Sequence, residues 1–493
     1  MAIPVVDIFA GPGGLGEGFA TFSSRPGYRD FELAVSIEKE HWAHQTLELR
    51  SFARQFQDLP PLYFDYLLGK ASRARLFDAH RREGLAAASE ARQLALGADT
   101  AETVRELLVP RIPENVPWVL IGGPPCQAYS LIGRARNRGI SGYVPEGDHR
   151  QTLYVEYLQI LADHAPPVFI MENVKGLLSA QLSGEHLFSR IRSDLSDPAS
   201  ALKREGRRAR RQPHYQLRSL VAADSSADSD SPDDFVVRAE RYGIPQARHR
   251  VIIMGVMEHL ATRRSCTLEE MGEQTVGDRL TELPRLRSGL SELEDGSEAW
   301  LKAIRDAHRR VWFDQCEPEM RKEVRASIAG LRAPKAGRGV NAGLGHWGLV
   351  LNHQTRAHIT ADLDRYLFAS TFARVHGKSP SLNNFPKALL PQHESASRAL
   401  TGGNFADRFR VQVKDRPATT VTSHISKDGH YYIHYDASQC RSLTVREAAR
   451  LQTFPDDYFF CGPRTSQYQQ VGNAVPPALA SQIAKIVKDF LSK

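Results

Sequence analysis

A doubly wound α/β sheet with a smaller second domain is predicted by three features of the sequence. These are short apolar runs ending in glycine, proline or an acid, helix-compatible segments between them, and a long stretch where that alternation stops. Residues 3–9, 33–37, 118–121 and 168–171 read as buried parallel strands because they are short, mostly apolar and β-rich. Residues 152–164, before the Pro166-Pro167 break, read as a helix. Two further strands are expected at 235–238 and 251–256. From about 265 to 420 the chain reads as irregular, with prolines at 284, 318, 334, 380, 386 and 391. Helix returns at Pro476-Pro477, and the stripe of Leu479, Ile483, Ile486, Val487 and Phe490 needs a sheet to cover. The expected organisation is a discontinuous large domain, 1–265 with 466–493 packing back on it, and a small domain over 266–465.

Composition narrows the class. With 41% hydrophobic and 25% charged residues over 493 positions, the chain is an ordinary globular protein with two to four domains, not a disordered or fibrous one. Its 64 Lys+Arg against 57 Asp+Glu leave +7, which favours anionic partners without requiring them. No stretch is apolar enough to span a bilayer and no basic leader opens the chain, so a cytoplasmic location is expected. Five scattered cysteines, with no Cys-x-x-Cys pair and no zinc spacing, indicate neither a disulfide framework nor a metal. Residues 66–108 read as a helical insertion. Residues 203–211 (Lys203, Arg204, Arg207, Arg208, Arg210, Arg211) and the acidic serine run 224–234 read as a solvated loop, or as a backbone-contacting one in the basic half.

Chemistry gathers at strand ends. Glycines 11, 13, 14 and 16 after the first strand allow a sharp turn, and Glu38 ends the second strand where an acid can bind ribose hydroxyls. That pairing points to a nucleoside cofactor and leaves NAD and S-adenosylmethionine both open. Cys126 sits on a Gly-Gly-Pro-Pro turn, a poor place for an inert thiol. Glu172 ends the fourth strand as a proton donor or as a helix cap. At period two, Gln246, Arg248 and Arg250 share a face, suited to a phosphate, a polarised carbonyl or a salt-bridged strand end. A thiol, a carboxylate, arginines and an adenosyl-type site together fit methyl transfer to a pyrimidine carbon. A thiolate adding at C6 makes C5 nucleophilic enough to accept the methyl group.

At this point the sequence resembles the DNA (cytosine-5) methyltransferases. The resemblance rests on Phe9-Ala-Gly-Pro-Gly-Gly14, Pro125-Cys126-Gln127, Glu172-Asn173-Val174, Gln246 to Arg250, the late block 441–458, and Gly472-Asn473-Ala-Val-Pro-Pro477. It implies a Rossmann-like methyltransferase sheet with a target-recognition domain before the late block. It also implies S-adenosyl-L-methionine as donor, S-adenosyl-L-homocysteine as product, and no metal. By resemblance Cys126 is the nucleophile, Glu172 holds cytosine N3, and Arg250 with Arg248 orients the ring. Phe9, Gly11, Gly14, Glu38, Pro125, Leu153 and Asn473 line the donor site. The family's Gly-Asp-Ile, whose Asp meets the donor's adenine, is represented only by Gly97-Ala98-Asp99, which makes Asp99 the candidate.

The implied reaction is methylation of C5 of a flipped-out cytosine within a short sequence of double-stranded DNA. Arg321, Lys322, Arg325, Arg332, Lys335 and Arg338 could meet phosphates, or form a solvated basic helix. A monomer is expected, with a companion restriction or phage-defence system as an allowed partner and no membrane. A tRNA cytosine-5 methyltransferase on the same scaffold and a catalytically silent DNA-binding protein are the alternatives.

Overall fold

The structure, a computed structural model, describes residues 2–112, 116–125, 152–182, 185–222, 231–263, 266–336, 341–342, 348–391 and 407–492. Strands β1 (Ile3–Ile8), β2 (Phe31–Glu38), β3 (Ala91–Gln93), β4 (Val119–Gly122) and β5 (Val168–Val174) lie in the order β3-β2-β1-β4-β5 and run parallel. The sheet then continues through β9 (His249–Met257), which is antiparallel to β5, and β6 (Tyr215–Arg218), with β7 (Val236–Arg238) also paired to β9.

Alternate residues of β1 enter opposite cores, as a two-sided sheet requires. Val6 and Ile8 pack with Tyr157 and Leu161 of the helix Thr152–His164. Ile3 and Val5 pack on the other face with Phe19 and with Leu479, Ile483 and Val487 of the last helix, Pro477–Leu491. Each such fully buried aliphatic side chain is worth about 1.5–3 kcal/mol over exposure. That last helix lies against α1 (Gly14–Thr21), so closely that a Cβ on Gly18 would sit 2.3 Å from Ala480 Cβ.

Two regions differ from expectation. The insertion is helical, but it also contributes edge strand β3, too short and polar to read as a strand from sequence. Its helices cover α2 (His41–Arg54), with Phe77 stacked on Phe52 at 4.7 Å, and share a core with Leu351, Phe459 and Cys461. The supposedly irregular stretch holds helices Ser297–Arg305, Pro318–Ile328 and Thr360–His376 around Trp300 and Leu367. In the last of these every residue from Tyr366 through Ala373 is buried. A helix enclosed on all sides shows no amphipathic period, so the pattern that betrays surface helices is missing. Arg321, Lys322 and Arg325 lie on the Pro318–Ile328 helix, and Arg338 lies outside the described residues.

Three arginines of the basic segment, which is mostly exposed, form ion pairs within the chain. Arg207 pairs with Glu156 at 2.6 Å, Arg210 with Glu102 at 3.1 Å, and Arg204 with Asp194. Among the described residues no helix is long and apolar enough to cross a membrane.

Candidate active site

A cavity of about 410 Å³ crosses the carboxyl ends of β1, β2, β4 and β5 and is walled by Leu153, Leu94, Leu96 and the segment Asn473 to Val475. Strand-end backbones shape it. Phe9 (φ 55), Gly11 (φ 59) and Gly13 (φ 91) are all left-handed, so β1 turns back on itself before α1 begins at Gly14. For Phe9, which has a Cβ, that conformation is strained and must be held by its surroundings. The Tyr458 hydroxyl donates to Pro12 O from the late block, and Gly11 N–H donates to Glu38 Oε2 at 2.8 Å.

Two carboxylates face this floor. Glu38 accepts from Gly11 and, through Oε1, from Glu40 N–H at 2.7 Å; burial raises its pKa, and these amides oppose the rise. Asp7 is 1% exposed, and no side chain hydrogen-bonds to either of its carboxyl oxygens. Burial pushes its pKa up to about 8 against partial relief from the Gly16 backbone, where an added Cβ would lie 2.8 Å from Asp7 Oδ2. Sequence reasoning missed Asp7, although an acid inside the apolar run Ile-Pro-Val-Val-Asp-Ile was a visible signal.

At the other end, Pro124 and Pro125 follow β4, and Asn173 Nδ2 donates to Pro124 O at 3.1 Å, holding the turn against β5. Cys126 lies outside the described residues. Glu172 lines the cavity, and its Oε1 meets Arg250 Nε at 2.9 Å. In the antiparallel register Arg250 faces Val174 and Ile252 faces Glu172, which sets the two side chains diagonally on one face. Burial lowers the Arg250 pKa, and Glu172 opposes that shift. Gly123 is required here, because a Cβ would sit 3.0 Å from Glu172 Oε2.

Three expected residues are placed differently. Arg248 does not join Glu172. The chain kinks between β8 (Gln246–Ala247) and β9, and the guanidinium of Arg248 turns away to donate to Val421 O at 2.8 Å and Gly472 O at 3.3 Å. The period-two argument fails at that kink, and Arg248, 2% exposed, ties the site strand to the late segments instead. Gln246 does the same, accepting from Val421 N–H at 2.6 Å and donating to Leu451 O at 3.2 Å. Gly14 does not line the cavity, but a Cβ there would be 2.2 Å from Val475 O, so its bareness seats the Asn473 to Val475 wall. Asp99 is exposed on a short 3-10 turn, 98–100, and does not line the cavity; Leu94 and Leu96 occupy that end. Phe9, Gly11, Glu38, Pro125, Leu153, Glu172 and Asn473 do converge on it. Among the described residues no group of three His, Cys, Asp or Glu could hold a metal.

Comparison with known proteins places this geometry. Residues 99–197 and 234–489 match the family of C-5 cytosine-specific DNA methylases. The chain is 32% identical to the type II methyltransferase M.Bpa9945I of Bacillus paralicheniformis, over 99% of each chain. It is 24% identical to the type II methyltransferase M1.HphI of Haemophilus parahaemolyticus, over 99% of this chain and 87% of that protein. The fold is similar (TM-score 0.52, 18% identity, full coverage of both chains) to the crystal structure of an E. coli prophage protein described as a DNA modification methyltransferase. The chain belongs to the C-5 cytosine-specific DNA methylase family and is an enzyme that methylates cytosine in DNA.

Proposed function

We propose that the cavity holds S-adenosyl-L-methionine and that the methyl group passes to C5 of a flipped-out cytosine in a short sequence of double-stranded DNA. The observation that carries this reading is the ion pair of Glu172 and Arg250 beside Pro125, at one end of the same cavity whose floor holds Glu38 and the unpartnered Asp7. The donor supplies an electrophilic methyl group on a sulfonium. Glu38 would accept hydrogen bonds from ribose hydroxyls, and Asp7 would face the donor's cationic groups. Phe9, Gly11, Pro125, Leu153 and Asn473 would line it.

On the base, the Cys126 thiolate adds to C6 while Glu172, held by Arg250, delivers a proton to N3. The electron pair released toward C5 would take the methyl group, with S-adenosyl-L-homocysteine as the leaving group. Loss of the C5 proton to a base then expels the thiolate, and N3 returns its proton to Glu172, which restores the ring. Neither face of a stacked base is open to the thiol and the donor together, so the base must leave the helix. Residues 1–265 with 466–493 form the catalytic domain in this reading, and 266–465 the target-recognition domain. The likeness to type II methyltransferases favours a companion restriction system, and DNA over tRNA as substrate.

The test is expression of the chain and its Cys126→Ala variant in a methylation-free bacterium, followed by cytosine-conversion sequencing. A short methylated motif with the first protein alone is expected. Methylation by the Cys126→Ala variant at a comparable level would overturn the nucleophile.

A further inference from the structure

The cavity follows the strand order β5, β4, β1, β2, β3 along one edge of the sheet. Glu172 and Pro125 mark the β5–β4 end. Resting on the donor reading above, the sulfonium must face that end, because the methyl group travels to the base held there. The adenine then falls at the β2–β3 end.

The side chains lining that end are Ile37, Leu94 and Leu96, with Lys39 and Glu40 at its mouth. Leu94 is fixed relative to the ribose-binding acid, since its N–H donates to Glu38 O at 3.1 Å. Leu96 is buried, whereas Asp99 is exposed on the turn beyond. Glu40 is engaged elsewhere, its carboxylate accepting Ala43 N–H at 2.7 Å to cap α2. Lys39 and Glu40 are both exposed, so this end opens to water. Where the family resemblance leads one to expect a carboxylate beside the adenine amine, the described residues present two leucines.

We propose that this enzyme grips the donor's adenine by aliphatic contact with Leu94 and Leu96 and makes no side-chain hydrogen bond to its exocyclic amine. It therefore accepts S-adenosyl ligands whose amine nitrogen is fully substituted. A site built around an amine hydrogen bond rejects an analogue lacking the donor, because its own buried acceptor is left unpaired. A site of aliphatic walls open to water has no such acceptor to strand.

The test is titration calorimetry on the full chain with S-adenosylhomocysteine and its N6,N6-dimethyl derivative. The two are expected to bind within about threefold of each other, and a loss of about tenfold or more on dimethylation would overturn the inference. Leu96→Asp is expected to create a preference of at least about tenfold for the unsubstituted ligand. Leu94→Asp, at a half-buried position, serves the same purpose should the first variant not fold. Equal binding of both ligands by the Asp variants would overturn the placement of the adenine. Failure of S-adenosylhomocysteine itself to bind the wild-type chain would overturn the donor reading and the inference with it. Binding of that ligand with rejection of the dimethyl derivative overturns the inference alone.

Discussion

Asp7 and Glu447 are both 1% exposed, yet they stand in opposite conditions. Glu447, on the helix Val445–Leu451, takes two bonds from Arg441 at 2.6 and 2.7 Å and one from Thr444 N–H, with His434 at 3.5 Å. Arg441 and His434 overcome the cost of burial and hold its pKa well below the usual carboxylate range. Asp7, on the floor of the cavity, has no side-chain partner, and burial drives its pKa up to about 8. Burial alone therefore does not mark a working group. A buried charge with every valence answered is scaffold, and one left unanswered beside a cavity is waiting for a ligand.

The largest effect is expected on the catalytic side. Glu172→Gln should slow single-turnover methyl transfer by about 10²-fold to 10⁴-fold, the usual worth of a positioned proton donor. A rate within twofold of wild type would remove Glu172 from the chemistry. On the scaffold side, Arg441→Met strands Glu447 as an uncompensated buried charge and should cost about 3–5 kcal/mol in urea unfolding. A much smaller loss would mean that Glu447 finds relief elsewhere, and the comparison would fail.

Asp7→Asn should act with the opposite sign. A carboxyl whose folded pKa lies above its unfolded value contributes stability at low pH and loses it as pH rises through the folded value. The ligand-free Asn variant should therefore gain on wild type in stability as pH climbs from the ordinary carboxylate range to about 8, reaching about 1–3 kcal/mol and levelling off above it, while binding the donor more weakly. A gap that is flat with pH would show that Asp7 does not titrate there. Smallest of all, Arg210→Ala breaks an exposed pair with Glu102 and should leave both melting temperature and DNA affinity unchanged; a clear loss of DNA affinity would return the basic segment to the binding surface.

Much of the sheet edge was legible because strand-end motifs have local causes. Left-handed Phe9 and Gly11 need a turn, and Glu38 needs the strand end that places it against the Gly11 amide. The helix at Thr152–His164 matches its expected span for the same reason, a local period ended by prolines. What was not legible depends on distant partners. Arg248 and Arg250 look equivalent two residues apart, and only the packing of Val421 and Gly472 draws one of them away. The enclosed helix Thr360–His376 hides its period because every residue from Tyr366 through Ala373 is buried, so no exposed polar face marks it. Asp99 was proposed from a short motif, whereas strand β3 delivers Leu94 and Leu96 to the cavity first.

The contrast between Asp7 and Glu447 can be measured as protons. Calorimetric titration of S-adenosylhomocysteine into the full chain at pH 7, repeated in buffers of different ionisation enthalpy, counts the protons that leave on binding. Since Asp7 with a pKa of about 8 is mostly protonated when the cavity is empty, wild type should release close to one more proton per ligand than Asp7→Asn. Equal release by the two proteins would contradict the account.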